Sequence, residues 1–321
     1  MMRWRLRHQK GAALLVAMLT VALVSTFAAT AVWQQYRSTE IEAAERARVQ
    51  SGWLLAAALD WARLILREDA RSGGADHLAE PWAVPLNETR LSSFLSMDRT
   101  ISDSERNAFL SGQITDLQSR LNVTNLIDGK ALSEPDVRSF TRLFAVLGLS
   151  ASQLTLLTNQ MLKAALAEPN APLMPQRIDQ LSWLGLTPQT LQALAPYITL
   201  LPQRTPVNLN TARAEVIYAS TPDLTLALAS KLVARRDSNH FRSLSEAQEK
   251  TGDTAGQFNE GQHAVASRFF EVRGRLRLDQ VTLEERAVVL RDGLNVQVLW
   301  RSRGVLAGSQ LAGQTPPLLV R

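Results

Sequence analysis

The residues best suited to chemistry are four histidines and two groups of acids. His8, His77, His240 and His263 are scattered along the 321 residues. None belongs to an H-E-x-x-H pair, and no G-x-S-x-G, P-loop or G-x-G-x-x-G occurs. Cysteine is absent, which removes disulfides, thiolate metal sites and Cys nucleophiles. The histidines therefore read as surface or capping residues. Glu284, Glu285 and Asp279 form one acid group. Glu246, Glu249 and Asp253, beside the loop from Gly252 to Gly261, form the other. Carboxylates so placed can hold a hard cation such as calcium, but solvated acids are the simpler reading at each position. No residue is assigned a catalytic, cofactor-binding or metal-ligating role. The expectation is a non-enzyme that requires no cofactor.

A second chemistry is phosphate binding. Val207-Asn208-Leu209-Asn210-Thr211-Ala212, two following helices and Phe241-Arg242-Ser243-Leu244 have the form of a helix-hairpin-helix. A Gly-rich hairpin would let backbone N–H groups approach a phosphate. Here the hairpin is Ser220-Thr221-Pro222-Asp223, with no Gly, a Pro lacking an N–H, and an anionic Asp. Lys231, Arg235 and Arg236 read as a solvated helix face. A packing unit is expected, with Asn208 and Asn210 satisfying a turn and capping a helix. A membrane-anchored DNA-binding protein of the uptake type is the alternative. Four of the first ten residues, Arg3, Arg5, Arg7 and Lys10, account for nearly all of the net charge of +5. The remainder offers no bulk case for nucleic acid.

The elements that must position these residues begin at the N-terminus. No charge occurs from Gly11 to Tyr36, and an apolar helix of that length can cross a bilayer core, with the preceding cations cytoplasmic. A secretory signal cut after Ala29-Thr30-Ala31, a plain anchor, and a short basic leader ending at Gly11 all fit this segment. The continuation favours the leader. No Gly or Pro interrupts 12–51, and Leu54, Ala58, Trp61 and Ile65 form an apolar stripe at helical spacing. With Ala12 as the first mature residue, the fifth is Val16, where most pilin-like proteins carry Glu. A carboxylate buried in a bilayer costs about 2.5–3.5 kcal/mol unless it finds a partner. Val16 thus suits a subunit with no predecessor, and equally a protein outside the pilins that never needed the Glu.

Downstream, 68–111 reads as irregular, because the Pro81 and Pro85 pair forbids helix. Alternation from Gly112 to Asn125 predicts a strand. Residues 133–266 predict short helices: one opened by Ser133-Glu134-Pro135-Asp136, one from Ser150, then 176–184, 187–194, 211–219 and 223–236. Residues 267–301 predict strands, with a hairpin of 287–291 and 294–301 turned by Asp292-Gly293. From Ser302 the tail is expected to be loose. The fold class is α+β: an antiparallel sheet and a long N-terminal helix, with an inserted all-helical domain.

Several stretches resemble the K-type minor pseudopilins of the type II secretion system, the GspK family. They are Lys10-Gly11 with its Glu-free helix, Glu80-Pro81-Trp82-Ala83, Ile114 through Asn122, Pro206 through Ala212, and Ser267-Arg268-Phe269-Phe270-Glu271-Val272. The resemblance implies a pilin-like domain with a helical insertion. It implies cleavage by prepilin peptidase between Gly11 and Ala12, N-methylation of Ala12, and Val16 as an assembly position. It also implies a place at the pseudopilus tip with I- and J-type minor pseudopilins, helping to start assembly and to export folded proteins across the outer membrane. Secreted substrates and the outer-membrane channel are further candidate partners; nucleic acid is not expected. Calcium binding occurs in the family, with no ligands assignable here. Ala12 departs from the Phe usual in major pilins. The expected division is 1–11 leader, 12–36 transmembrane helix, 37–130 first part of the pilin-like domain, 131–266 insertion, 267–303 second part, and 304–321 tail. The expected location is the inner membrane, single pass, with periplasmic domains.

Overall fold

The computed structural model describes residues 12–90, 108–251, 258–278 and 281–306. Helix α1 runs from Ala12 to Ser72. The chain divides into two compact units, Met1–Leu54 and Leu55–Arg321.

In the first unit α1 carries an apolar span of mean hydropathy 2.3, and among the described residues it is the one helix long and apolar enough to cross a membrane. The three threonine hydroxyls of the apolar span are satisfied within the helix. Thr20 donates to the Ala17 carbonyl and Thr26 to that of Leu23, each at 2.8 Å. Thr30 donates to the Phe27 carbonyl at 2.9 Å. This is how hydroxyls are tolerated where no water is at hand. Beyond the apolar span the surface becomes charged, with Arg46 on Glu42 at 2.6 Å, an i,i+4 pair.

In the second unit α1 buries Leu55, Leu59, Ala62 and Leu66. The predicted stripe has the right period but is displaced by one residue, since Trp61 is half exposed. Both stripes share the i, i+4, i+7, i+11 spacing, and only the sheet opposite selects between them. The helix continues to Ser72, a short 3-10 turn spans Pro81–Ala83, and β1 covers Leu86–Arg90, so residues 68–90 carry more regular structure than their prolines suggested. Trp82 is buried with its indole N–H on Glu80 Oε2 at 2.7 Å and its ring edge-on to Phe270.

The sheet is antiparallel, in the order β1, β2 (Ala108–Asp116), β9 (Phe269–Leu278), β10 (Val281–Asp292), β11 (Asn295–Leu306). Its core face supplies Ile114, Phe270, Val272, Ala287, Val289 and Val296, clustered with Leu59, Ala62, Leu66 and Trp82. The 292–295 turn differs from expectation. Asp292 pairs with Asn295, so the two loop residues are Gly293 and Leu294. Gly293 has φ +55° and Leu294 does not enter the left-handed region, which matches a II′ turn rather than an Asp-Gly I′ turn. The strand also continues past Ser302 to Leu306, where a loose tail was expected.

Between β2 and β9 the chain builds a second, larger core from Leu121 to Ala247. Short pairings β3 (Leu121–Asn122) with β6 (Ile198–Thr199), β4 (Ile127–Asp128) with β5 (Ala131–Leu132), and β7 (Val207–Asn208) with β8 (His263–Ala264) tie its loops. Its helices are α2 (Glu134–Val146), α3 (Ala151–Leu166), α4 (Pro188–Leu194), α5 (Ala214–Ser220), α6 (Leu226–Ser238) and α7 (Leu244–Thr251). Residues 178–184 form a 3-10 turn rather than a full α-helix. It is closed by Gly185 at φ +88°, where a Cβ would meet a Leu156 methyl at 2.6 Å.

The strand expected over 112–125 stops at Asp116. Asp116 and Asn122 accept from the backbone N–H of Gln118 (2.7 Å) and Thr124 (3.2 Å), turning the chain into 3-10 segments at 117–119 and 123–126. Polar side chains that bond two residues onward favour turns over ladder pairing, and period-2 alternation cannot reveal this.

Candidate functional site

Three of the stretches that carried the family resemblance, those holding Asp116, Asn208 and Ser267, meet in one buried polar junction, where the sheet hands the chain to the helices and takes it back. Asp116 at the end of β2 is its centre. One carboxylate oxygen accepts the Gln118 N–H. The other accepts from the Thr211 hydroxyl at 2.5 Å, the Ser267 hydroxyl at 2.6 Å and the Asn208 amide at 3.1 Å. Gln118 accepts the Arg268 N–H at 2.7 Å and donates to the Pro206 carbonyl at 3.2 Å. Asn208 also donates to the Asp76 carbonyl at 3.1 Å and accepts the Asn210 N–H at 2.9 Å. The turn expected of Asn208 is therefore present. Asn210 caps no helix. It holds Phe241 through both its N–H and its carbonyl, each at 2.8 Å.

A buried ion pair adjoins this centre. Arg291 near the end of β10 donates to both Asp76 oxygens, at 2.5 and 2.6 Å, to Asp69 at 2.5 Å and to the Ser267 carbonyl at 2.8 Å. Burial raises the pKa of Asp76, opposed by Arg291. Burial and then Glu80 raise that of Asp69. Carboxylate oxygens of Asp69, Asp76 and Glu80 lie within 4.8 Å of one another, a donor set of the type hard cations take. In this fold Arg291 supplies the positive charge to two of them, while Glu80 Oε2 accepts the Trp82 indole N–H and the His77 N–H.

Among the described residues, the predicted acid groups do not converge. Glu284 and Glu285 are consecutive on β10 and so face opposite sides of the sheet. Glu284 sits between Arg275 at 2.7 Å and Arg286 at 2.6 Å. Burial alone would raise its pKa; these arginines more than offset that and lower it. Glu285 pairs with Arg303 at 2.5 Å. Glu246 pairs with Lys250 at 2.5 Å and Glu249 is exposed. Asp253, Asp279, Gly252 and the leader through Gly11, His8 included, lie outside the described residues. Ala12 is the first described residue of α1 and Val16 is exposed on it.

The basic run is not one solvated face. Lys231 is exposed and Arg235 donates to the Lys250 carbonyl. Arg236 is buried, donating to the carbonyls of Leu209, at 2.6 Å, and Ala212. It is a strut under the Asn208–Ala212 turn, unavailable to a phosphate. The hairpin residue Asp223 is left-handed at φ +62° without being Gly.

His77 stacks on His240 at 3.7 Å between ring centroids. His263 is a core residue rather than a surface one. Its Nδ1 accepts the Asn259 N–H at 3.3 Å, and Nε2 meets the hydroxyls of Thr221 at 3.0 Å and Ser220 at 3.2 Å. A Ser–His contact of this kind is half of a nucleophile arrangement. Here both residues are buried and the second ring nitrogen accepts a backbone N–H instead of donating to a carboxylate, so the contact serves packing.

Two titrations in the junction oppose each other. Burial lowers the His263 pKa to about 4. The unfolded chain then binds this proton more readily, and stability is lost as pH falls from 6.5 toward 4. Burial raises the Asp116 pKa to about 6, with the donors from Ser267, Thr211 and Gln118 holding it back. There the folded chain binds the proton more readily, and stability is gained as pH falls from 6 toward 3.8. From pH 7 to 5 the first effect is about 2 kcal/mol and the second about 1 kcal/mol. His263→Gln is therefore expected to lose less stability than the parent on acidification, by about 2 kcal/mol over that range. Urea denaturation at both pH values checks this; parallel losses would contradict a buried neutral imidazole.

Comparison with known proteins agrees with this geometry. Two family profiles, both described as Type II secretion system (T2SS), protein K, match residues 119–203 and 207–266. These are the helical module and the segment returning to the junction. The type II secretion system protein K of Pseudomonas aeruginosa is 25% identical over 333 residues, covering 93% of this chain and 94% of that protein. A chain in the crystal structure of the GspK-GspI-GspJ complex from the enterotoxigenic Escherichia coli type 2 secretion system superposes with a TM-score of 0.63 at 18% identity, over 81% of this chain and 98% of that one. The fold is thus pilin-like with a helical insertion. The two matched segments and the nearly end-to-end alignment make the chain similar to the type II secretion system protein K family, the K-type minor pseudopilins.

Proposed function

We propose that this pseudopilin caps the tip of the pseudopilus in complex with I- and J-type minor pseudopilins, where it helps to start assembly and to export folded proteins. The observation that carries this reading is the helical module with its own core between β2 and β9. A subunit carrying that bulk leaves no room for a further copy stacked above it. Val16 supports the same place, since the first subunit meets no earlier amine for a carboxylate to pair with. The solved GspK-GspI-GspJ complex supplies the choice of partners.

The reading includes maturation and location. The leader 1–11 is removed by prepilin peptidase, Ala12 is N-methylated, and 12–36 holds the protein in the inner membrane with the remainder periplasmic. The junction has a mechanical part in this: a subunit drawn out of the membrane by its helix keeps sheet and helical module as one body. Light scattering on the full chain mixed with I- and J-type partners should give a complex holding one copy of each. The chain weighed intact from that complex should begin at methylated Ala12. A homopolymer, or no association, contradicts the tip reading, and a start at Val32 contradicts the leader.

A further inference from the structure

Where the sheet meets the helical module, its outer face carries a cluster of arginines. Phe270 and Val272 of β9 face the core, so Glu271, Arg273 and Arg275 face the other way. Arg286 on β10 is the cross-strand neighbour of Arg273, and like charges directly opposite are destabilising. Two carboxylates relieve this from within the sheet. Glu271 reaches Arg273 at 3.3 Å, and Glu284 is shared by Arg275 at 2.7 Å and Arg286 at 2.6 Å. The cross-strand rows are completed by the polar Gln113, Thr115 and Ser302.

Arg120 and Arg213 join this face from the helical side. The Leu121 N–H donates to the Tyr197 carbonyl at 2.9 Å, and the Arg213 guanidinium lies over the Tyr197 ring, 5.6 Å from its centroid. Arg120 is half-buried. Burial lowers its pKa; Glu271 opposes this, while Arg213 and Arg273 add to it. Its side chain makes no hydrogen bond or ion pair among the described residues. Its nitrogens are not sealed from solvent either, since Glu285 Oε1 is the one buried side-chain polar atom without a partner among those residues. Arg120 thus presents unused donors at an open corner beside two further arginines. A partly desolvated cation without a partner is costly, and the planar fork of arginine matches a carboxylate. Fixed glutamates among the arginines favour a partner whose charges sit at particular points over a uniformly anionic surface. Among the described residues of these rows no large apolar side chain is exposed, so the face has nothing to insert into a bilayer.

We propose that this face docks an acidic segment of a partner protein, one carboxylate of which takes the Arg120 guanidinium between Arg213 and Arg273. An extended segment with an acid at every second residue repeats at the interval that separates Arg273 from Arg275, roughly 7 Å. This assignment stands on the arginine cluster and not on the tip reading.

The test uses the full chain in phosphatidylcholine nanodiscs and two probes, an acetylated and amidated peptide of alternating Glu and Thr, and the same peptide with Gln for every Glu. Ligand-observed NMR measures the affinities. The parent should prefer the acidic peptide at least tenfold, as expected for charge-assisted hydrogen bonds. Arg120→Gln should lose most of that preference, and Arg120→Lys, which keeps the charge without the fork, should retain part of it. Arg138→Gln removes an equal charge outside the cluster, from an exposed pair with Glu134, and should bind like the parent. Arg213→Gln, at an exposed position, should also weaken binding, and it carries the test if Arg120→Gln does not fold. Phosphatidylglycerol vesicles at the same concentration of anionic groups should not displace the peptide. Equal affinities in the parent, no binding of either peptide, parent-like binding by Arg120→Gln or Arg213→Gln, an equal loss in Arg138→Gln, or displacement by the vesicles would each overturn the assignment.

Discussion

Asp116→Ala is expected to destabilise the folded chain by about 3–5 kcal/mol. Four donors lose their acceptor at once: the Gln118 N–H, the hydroxyls of Thr211 and Ser267, and the Asn208 amide. Asp116, Asn208 and Ser267 are each no more than 3% exposed, so water does not simply replace the carboxylate. Each orphaned buried donor costs roughly 1–3 kcal/mol, with some relief as neighbours re-pair. Against a typical total stability of about 5–15 kcal/mol, the loss is large. Asp116→Asn keeps one acceptor oxygen for Gln118 but sets an NH2 group against the other donors, so a smaller loss is expected. The urea midpoint of the full chain reads both. A shift worth less than about 1 kcal/mol for the alanine variant would mean that the junction is not what joins the two cores.

The chemistry of that junction explains which parts of the molecule were readable from sequence. Apolar periodicity located α1, α2, α3 and the last strands, because those elements bury one face and the period follows from that burial. It placed the α1 stripe on Leu54, Ala58, Trp61 and Ile65, one residue from the buried Leu55, Leu59, Ala62 and Leu66. The choice depends on a sheet that lies far away in the chain. Local polar rules recovered the Asn208 turn. They missed the end of β2 at Asp116, since a strand and an Asx-turn present the same alternation until the carboxylate's partners are known.

The remaining misses share one cause, separation along the chain. Asp76 and Arg291 are 215 positions apart, and neither carries a local mark of pairing. Arg236 looked like one cation in a solvated run, yet its targets are carbonyls 24 and 27 residues earlier. His263 looked like a lone histidine because Ser220 and Thr221 lie more than 40 residues before it. The family stretches did point to the junction, since Asp116, Asn208 and Ser267 all belong to them. What the sequence lacked was the information that they touch.

The central claim, that this chain works in type II secretion at the pseudopilus tip, is tested most directly by deleting its gene and following both secretion and DNA uptake. The account predicts that folded enzymes normally secreted by the cell are trapped in the periplasm, that DNA uptake is unchanged, and that the full chain supplied in trans restores secretion. Normal secretion with loss of DNA uptake would contradict it and would move the protein to the helix-hairpin-helix alternative.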